Sequence, residues 1–175
     1  METDESGQAE SPLLPIGTIG ENGSWIPYHY EVRETMPPDG YQLIPRVYEV
    51  LMEDQKECEV LTYDLTVPNE TTKIKISKLD FDTGLFVSGA KLAVYEAGFL
   101  DGVYTEAGEA LETWICDGKT HVIEGKLIAG HTYLLKELEA PDGYTVQKPM
   151  IFTVSDTGRG INAARDGVNA LETET

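Results

Sequence analysis

The sequence is poor in cysteine, in basic side chains and in long apolar runs: it has two cysteines, Cys58 and Cys116, and 13 basic against 31 acidic residues in 175. Two thiols, one in each half of the chain, cannot form the disulfide framework that holds small secreted domains together. No stretch approaches the roughly 20 apolar residues of a membrane span. Met1-Glu2-Thr3-Asp4 has neither the basic start nor the apolar core of a secretory signal, so a protein working outside the cell would carry its export and anchoring parts elsewhere than in this chain. The net charge of −18 repels nucleic-acid phosphates and anionic lipid, which removes both as partners. Such charge reads as solubility and mutual repulsion on a crowded surface rather than as an acidic binding site. Helical periodicity is scarce too, with Gly108 to Ile115 the best place for a turn or two.

What the chain does have is a phrase written twice. Tyr30-Glu31-Val32-Arg33-Glu34-Thr35-Met36-Pro37-Pro38-Asp39-Gly40-Tyr41 returns as Tyr133-Leu134-Leu135-Lys136-Glu137-Leu138-Glu139-Ala140-Pro141-Asp142-Gly143-Tyr144. Glu34 to Glu137, Pro38 to Pro141 and Tyr41 to Tyr144 share one offset of 103 residues, the period of a small domain plus linker. Anything the second copy holds before residue 104 falls before residue 1 in the first, so the first unit is expected to be a C-terminal half.

Residues 1–24 are polar, rich in Gly, Ser, Pro and acids, and are expected to be a disordered leader. From Trp25 onward the pattern predicts short strands: Tyr28 to Arg33, Gln42 to Leu51, Glu57 to Val67, Thr72 to Leu79, Lys91 to Glu96, Thr120 to Ile123, Thr132 to Lys136 and Met150 to Val154. Turn chemistry separates them at Pro37-Pro38-Asp39-Gly40, Asp82-Thr83-Gly84, Asp117-Gly118, Pro141-Asp142-Gly143 and Asp156-Thr157-Gly158. Strands of this length and spacing indicate an all-β, antiparallel sandwich or partly open barrel. The boundary falls near Pro68-Asn69-Glu70-Thr71, giving a half repeat over 25–70 and a nearly complete repeat over 71–175.

The second unit opens with Lys73-Ile74-Lys75-Ile76-Ser77-Lys78-Leu79-Asp80. Asp82-Thr83-Gly84 and Ser88-Gly89-Ala90-Lys91-Leu92-Ala93-Val94 follow, then Trp114, His121 to Leu127, Gly130 to Tyr133, Glu137 and Ala140 to Tyr144. In that order and spacing it resembles a SpaA-type pilin domain from about Thr72 to Val154, and the first unit resembles the same family from Tyr28 to Asn69. The resemblance implies a small prealbumin-like, Ig-like sandwich of the Cna-protein B type, found in Gram-positive adhesins and pilus shafts. A non-enzymatic surface module at the cell wall follows, with neighbouring repeats of its own protein as partners and no cofactor.

Many members of that family are similar in forming a spontaneous isopeptide bond between a lysine on the first strand and an Asn or Asp on the last, assisted by a Glu. Carried over, Lys78 is the nucleophile, Glu137 the proton shuttle, and Asn169 the acceptor, with Asp166 and Asn162 as alternatives. In the first unit Glu34 and Asn69 hold the shuttle and acceptor positions, and the lysine would precede residue 1. The residue types suit the chemistry. A lysine amine attacks only when neutral, and an apolar core disfavours the ammonium form. The same burial favours a neutral Glu137 that donates a hydrogen bond to the acceptor carbonyl and takes the amine proton. Folding supplies the encounter, an effective molarity of order 10⁵ M or more. No turnover follows, because the protein is its own substrate. Alternation places Lys78 on the face of Ile76 and Ile74, with Ser77, Lys75 and Lys73 facing solvent.

Plainer readings compete. Lys78 is an ordinary exposed lysine if the family outline is set aside, and Glu137 merely flanks a turn. Tyr41, Tyr144, Trp25 and Trp114 read as core and loop-packing aromatics. Asp80-x-Asp82 fails as a calcium loop, since Leu85 stands where Gly is required. Cys116, His121 and His131 invite a thiol-hydrolase reading but lack an Asp or Asn orienter. A second class of function is a ligand-binding adhesin using loops such as Glu96 to Gly108 to hold a host protein or glycan, which requires an exposed apolar patch at one sandwich end.

Overall fold

A computed structural model describes residues 1–52 and 62–163, and divides the chain into two compact units, 1–34 with 45–66 and 35–44 with 67–175. The described residues contain eleven strands and no helix.

In the second unit, alternation sets the core. β5 (Lys73–Ile76) buries Ile74 and Ile76 and leaves Lys73 exposed, as a period of two requires. It pairs antiparallel with β8 (His121–Glu124), which buries Ile123. Facing this two-stranded sheet is a five-stranded one, in the order β11 (Ile161–Ala163), β10 (Met150–Val154), β9 (Thr132–Glu139), β6 (Ser88–Leu100) and β7 (Val103–Asp117). Its inner face contributes Leu92, Val94, Tyr133, Leu135, Phe152 and Val154 to one core with Ile74, Ile76 and Ile123. Tyr133 and Phe152 are fully buried with ring centroids 5.6 Å apart, and each burial is worth about 1.5–3 kcal/mol. The unit is an antiparallel β-sandwich of unequal sheets.

Two features depart from the sequence expectation. Gly108 to Ile115 is not helical but lies inside β7, the longest strand. And residues 96–108 are not a loop. β6 and β7 run on as one hairpin closed by Asp101 and Gly102, both at positive φ (52° and 82°), as a two-residue type I′ turn demands. The Asp-Gly pair between Leu100 and Val103 was the available signal.

In the first unit, β1 (Gly17–Ile19) pairs with β2 (Trp25–Pro27), and β3 (His29–Arg33) with β4 (Val47–Leu51). A strand at Gly17 therefore stands where a disordered leader was expected. The Trp25 ring lies against Gly17, where any Cβ would collide with it, and this contact anchors the hairpin. Within this unit's described residues only Met52 is buried. The predicted strand Glu57 to Val67 falls largely outside the described residues, and 62–67 are not strand.

The repeated phrase has one geometry in both copies. The amide of Tyr41 donates to the Pro38 carbonyl at 3.0 Å and that of Tyr144 to Pro141 at 3.1 Å, with Gly40 and Gly143 at φ 79° and 86°. Positive φ at the third residue alone is the type II turn, which asks for glycine there. The first copy's turn belongs to the second unit rather than to the half repeat that contains it in sequence. Gly40 accepts from the Thr72 amide, Gln42 donates to Glu70, and Leu43 donates to Thr157.

A buried lysine and glutamate as candidate functional site

Lys78 lies two residues beyond β5, held by its carbonyl accepting from the Val87 amide at 2.9 Å. Its side chain is 10% exposed and donates to Glu137 Oε2 at 3.1 Å, while the Glu137 side chain, on β9, is 3% exposed. The alternation that put Lys78 on the face of Ile74 and Ile76 thus describes what the fold does. The same Oε2 accepts from the Gln147 amide at 2.8 Å. Gln147 follows the Pro141 to Tyr144 turn, so the turn returns the chain to Glu137 and gives the spacing between Glu and Pro a structural purpose.

Glu137 Oε1 is buried and has no hydrogen-bond partner among the described residues. An unsatisfied buried carboxyl oxygen costs about 1–3 kcal/mol or more, which marks it as a position made for a hydrogen-bond partner.

The acceptors stand differently. Asn169 and Asp166 lie outside the described residues. Asn162 is in β11 opposite Thr153 and exposed, while its neighbour Ile161 packs on the core, so alternation places Asn162 on the outer face of the sheet. Glu34 is half-buried in the first unit, and Asn69, in the second, donates to the Gln42 carbonyl at 3.3 Å.

The remaining candidates separate. Cys116 is buried and burial pushes its thiol up, the opposite of an activated nucleophile. His121 bonds Glu112 at 2.9 Å and stacks on Trp114 at 4.2 Å; His131 bonds Glu96 at 2.8 Å. Both imidazoles are thus bonded to carboxyl groups, not to Cys116. Trp114 packs against the core as read, whereas Tyr41 and Tyr144 are partly exposed on their turns. Among the described residues no cluster of three or more His, Cys, Asp or Glu side chains is placed to hold a metal.

An antiparallel sandwich of two unequal sheets, with a buried lysine after its first strand bonded to a glutamate on an inner strand, defines a prealbumin-like β module. The SpaA family model, described as a prealbumin-like fold domain, matches residues 72–167, and the chain belongs to that family. Comparison with curated proteins finds no match. Among solved structures it is similar to the C-terminal fragment of pilus adhesin SpaC from Lactobacillus rhamnosus GG (20% identity over 81% of this chain and 68% of that one, TM-score 0.44). It is also similar to the shaft pilin SpaA of the same organism (17%, 90% and 72%, 0.39) and to a streptococcal ancillary pilin (25%, 73% and 38%, 0.38). It spans 21% of the SpaC chain from which the first fragment comes.

Proposed function

We propose that the chain is a structural stalk module of a Gram-positive surface adhesin or pilus, and that its second unit closes on itself through an isopeptide bond from Lys78. The observation that carries the reading is the largely buried Lys78–Glu137 contact, with Glu137 Oε1 unpartnered among the described residues. A buried ion pair contributes little to stability compared with apolar packing, so its presence calls for another use.

The chemistry balances. A proton passes from Lys78 to Glu137 along the hydrogen bond between them, leaving a neutral amine and a neutral acid. The amine attacks the side-chain carbonyl carbon of Asn169 while Glu137 donates to its oxygen. The C–N bond to the leaving amide nitrogen breaks and ammonia departs with a proton originating on the amine. Asp166 as acceptor would release water instead. The bond would restrict the unfolded chain as a disulfide does, but resist reduction, and would let tension pass between the first and last strands. The cycle runs once, so the module is not an enzyme.

The intact mass of the folded protein tests this. It should fall short of the sequence mass by one ammonia, or by one water with Asp166, and Lys78→Ala or Glu137→Ala should restore it. A folded wild type at full mass would leave a spacer held by packing alone.

A second reading has its own support. At the tip of the β6–β7 hairpin Phe99, Leu100, Val103 and Tyr104 are 65%, 68%, 60% and 40% exposed, and the Phe99 and Tyr104 rings lie 4.8 Å apart. Such an apolar end suits an adhesin contact with a host protein or glycan. Binding to a panel of immobilised extracellular proteins and glycans that disappears in Phe99→Ser/Tyr104→Ser would favour this use; equal binding by the variant would remove it.

A further inference from the structure

β6 and β7 run on past the strand that packs beside them. β9 pairs with β6 only as far as Glu96, yet β6 and β7 go on pairing with each other through Ala97–Glu106, Gly98–Thr105, Phe99–Tyr104 and Leu100–Val103. At the point of departure the register jumps. Val94 faces Glu112 and Glu96 faces Ala107, so β7 carries a bulge there, with Gly108 at φ 80°. A bulge bends the strand that carries it and increases the local twist. Beside it Glu106 is held by Lys136 of β9. A lone two-stranded hairpin is marginally stable in water, but this arm is fixed at its base by an ion pair and at its apex by the Asp101-Gly102 turn. It meets a partner with its shape already set, which lowers the entropy lost on binding.

Residues opposite one another in an antiparallel pair share a face, and successive residues alternate. Phe99 and Tyr104 therefore stand on one face of the arm and Leu100 and Val103 on the other, all four exposed. A flat partner would cover one pair and leave the other wet. The charge around them has one sign: no Lys or Arg lies between Lys91 and Lys119. Asp101 at the apex and Glu109 in the bulge are exposed, with no ion pair among the described residues. We infer that the arm enters an apolar cleft on a basic protein, whose walls cover both faces and whose rim presents Lys or Arg to Asp101 and Glu109. This rests on the reading of the tip as a contact surface and names the partner for it. Other occupants fit less well. A lipid bilayer would have to admit the Asp101 carboxylate first, at the apex. A sugar ring needs an open aromatic face with polar groups beside it, whereas Phe99 and Tyr104 tilt against each other at 54° and the opposite face is wholly aliphatic. A second copy carries the same net charge of −18 and is repelled.

The probes are immobilised extracellular proteins, half of them basic and half acidic at neutral pH, an array of neutral glycans, and phosphatidylcholine vesicles, each offered the full chain. Binding should fall in the basic set. Phe99→Ser/Tyr104→Ser and Leu100→Ser/Val103→Ser each strip one face, and each should bind at least ~10-fold more weakly, with thermal unfolding confirming that both variants fold. Asp101→Asn keeps the turn, since Asn-Gly adopts it too, and should weaken binding about threefold at low salt. That difference should vanish near about 0.5 M NaCl, where screening acts within a few ångströms. Tip-dependent binding to neutral glycans or to vesicles would overturn the inference while leaving the tip a contact surface. So would binding that is lost in one double variant and unchanged in the other, or that is indifferent to salt. Absence of any binding that depends on the tip would remove both.

Discussion

The Lys78 side chain donates to Glu137 across 3.1 Å, although 59 residues separate the two in sequence and both side chains are almost wholly buried. A pair held only by charge and a pair spent on a covalent bond respond differently to substitution.

Removing one partner of a buried ion pair costs about 3–5 kcal/mol, since the other charge is left unpaired, while replacing both with apolar groups is close to neutral. Lys78→Met should therefore be strongly destabilising by chemical denaturation. If the cross-link forms, the double variant Lys78→Met/Glu137→Leu still lacks its contribution of about 2–4 kcal/mol. Full recovery of wild-type stability in the double variant would identify a simple ion pair.

The two turns of the repeated phrase should differ in tolerance. Gly143→Ala meets no atom within 4 Å and carries only the left-handed backbone cost of about 1–2 kcal/mol. Gly40→Ala would drive its Cβ into the Gly125 carbonyl oxygen, adding an overpacking cost of about 1–3 kcal/mol. Thermal unfolding of the two single variants checks the order, and equal losses would contradict the contact.

Acid stability should depend on Glu112. Burial raises its pKa, but hydrogen bonds from Lys126 and His121, at 2.9 Å each, outweigh this and leave the carboxyl below its ordinary value of 4.5. A carboxyl lowered on folding stabilises fully above its unfolded value and loses that contribution as pH falls through the folded one. Wild type should thus lose stability below about pH 4.5 more steeply than Glu112→Gln, and the gap between them should close in strong acid. Parallel curves from pH 6 to 2 would exclude the role.

Cys116 should be slow to react. In a Cys58→Ser background, alkylation at neutral pH should be far slower in the folded protein than in denaturant, because burial both shields the thiol and raises its pKa. Rapid labelling of the native state would reopen the thiol-hydrolase reading.

Local chemistry carried much of this structure in readable form. The run Met150 to Val154 became β10 with those bounds, Pro-Asp-Gly-Tyr became the same turn twice, and the alternation of Ile74, Ile76 and Lys78 pointed to a lysine whose side chain is only 10% exposed. These follow from residues within a few positions of one another, where period and turn dihedrals act directly. β7 was not readable: much of it is exposed, so no apolar period distinguishes it, and its conformation is imposed by pairing with β6. Nor could sequence show that the first copy's turn packs with the second unit, or that the Gln147 amide donates to the same Glu137 oxygen as Lys78. The amino-acid order by itself determined where strands and turns could form and which face of the first strand held the lysine. Only the tertiary structure decided that the lysine meets Glu137, because contacts between distant strands depend on how sheets stack and not on any local pattern.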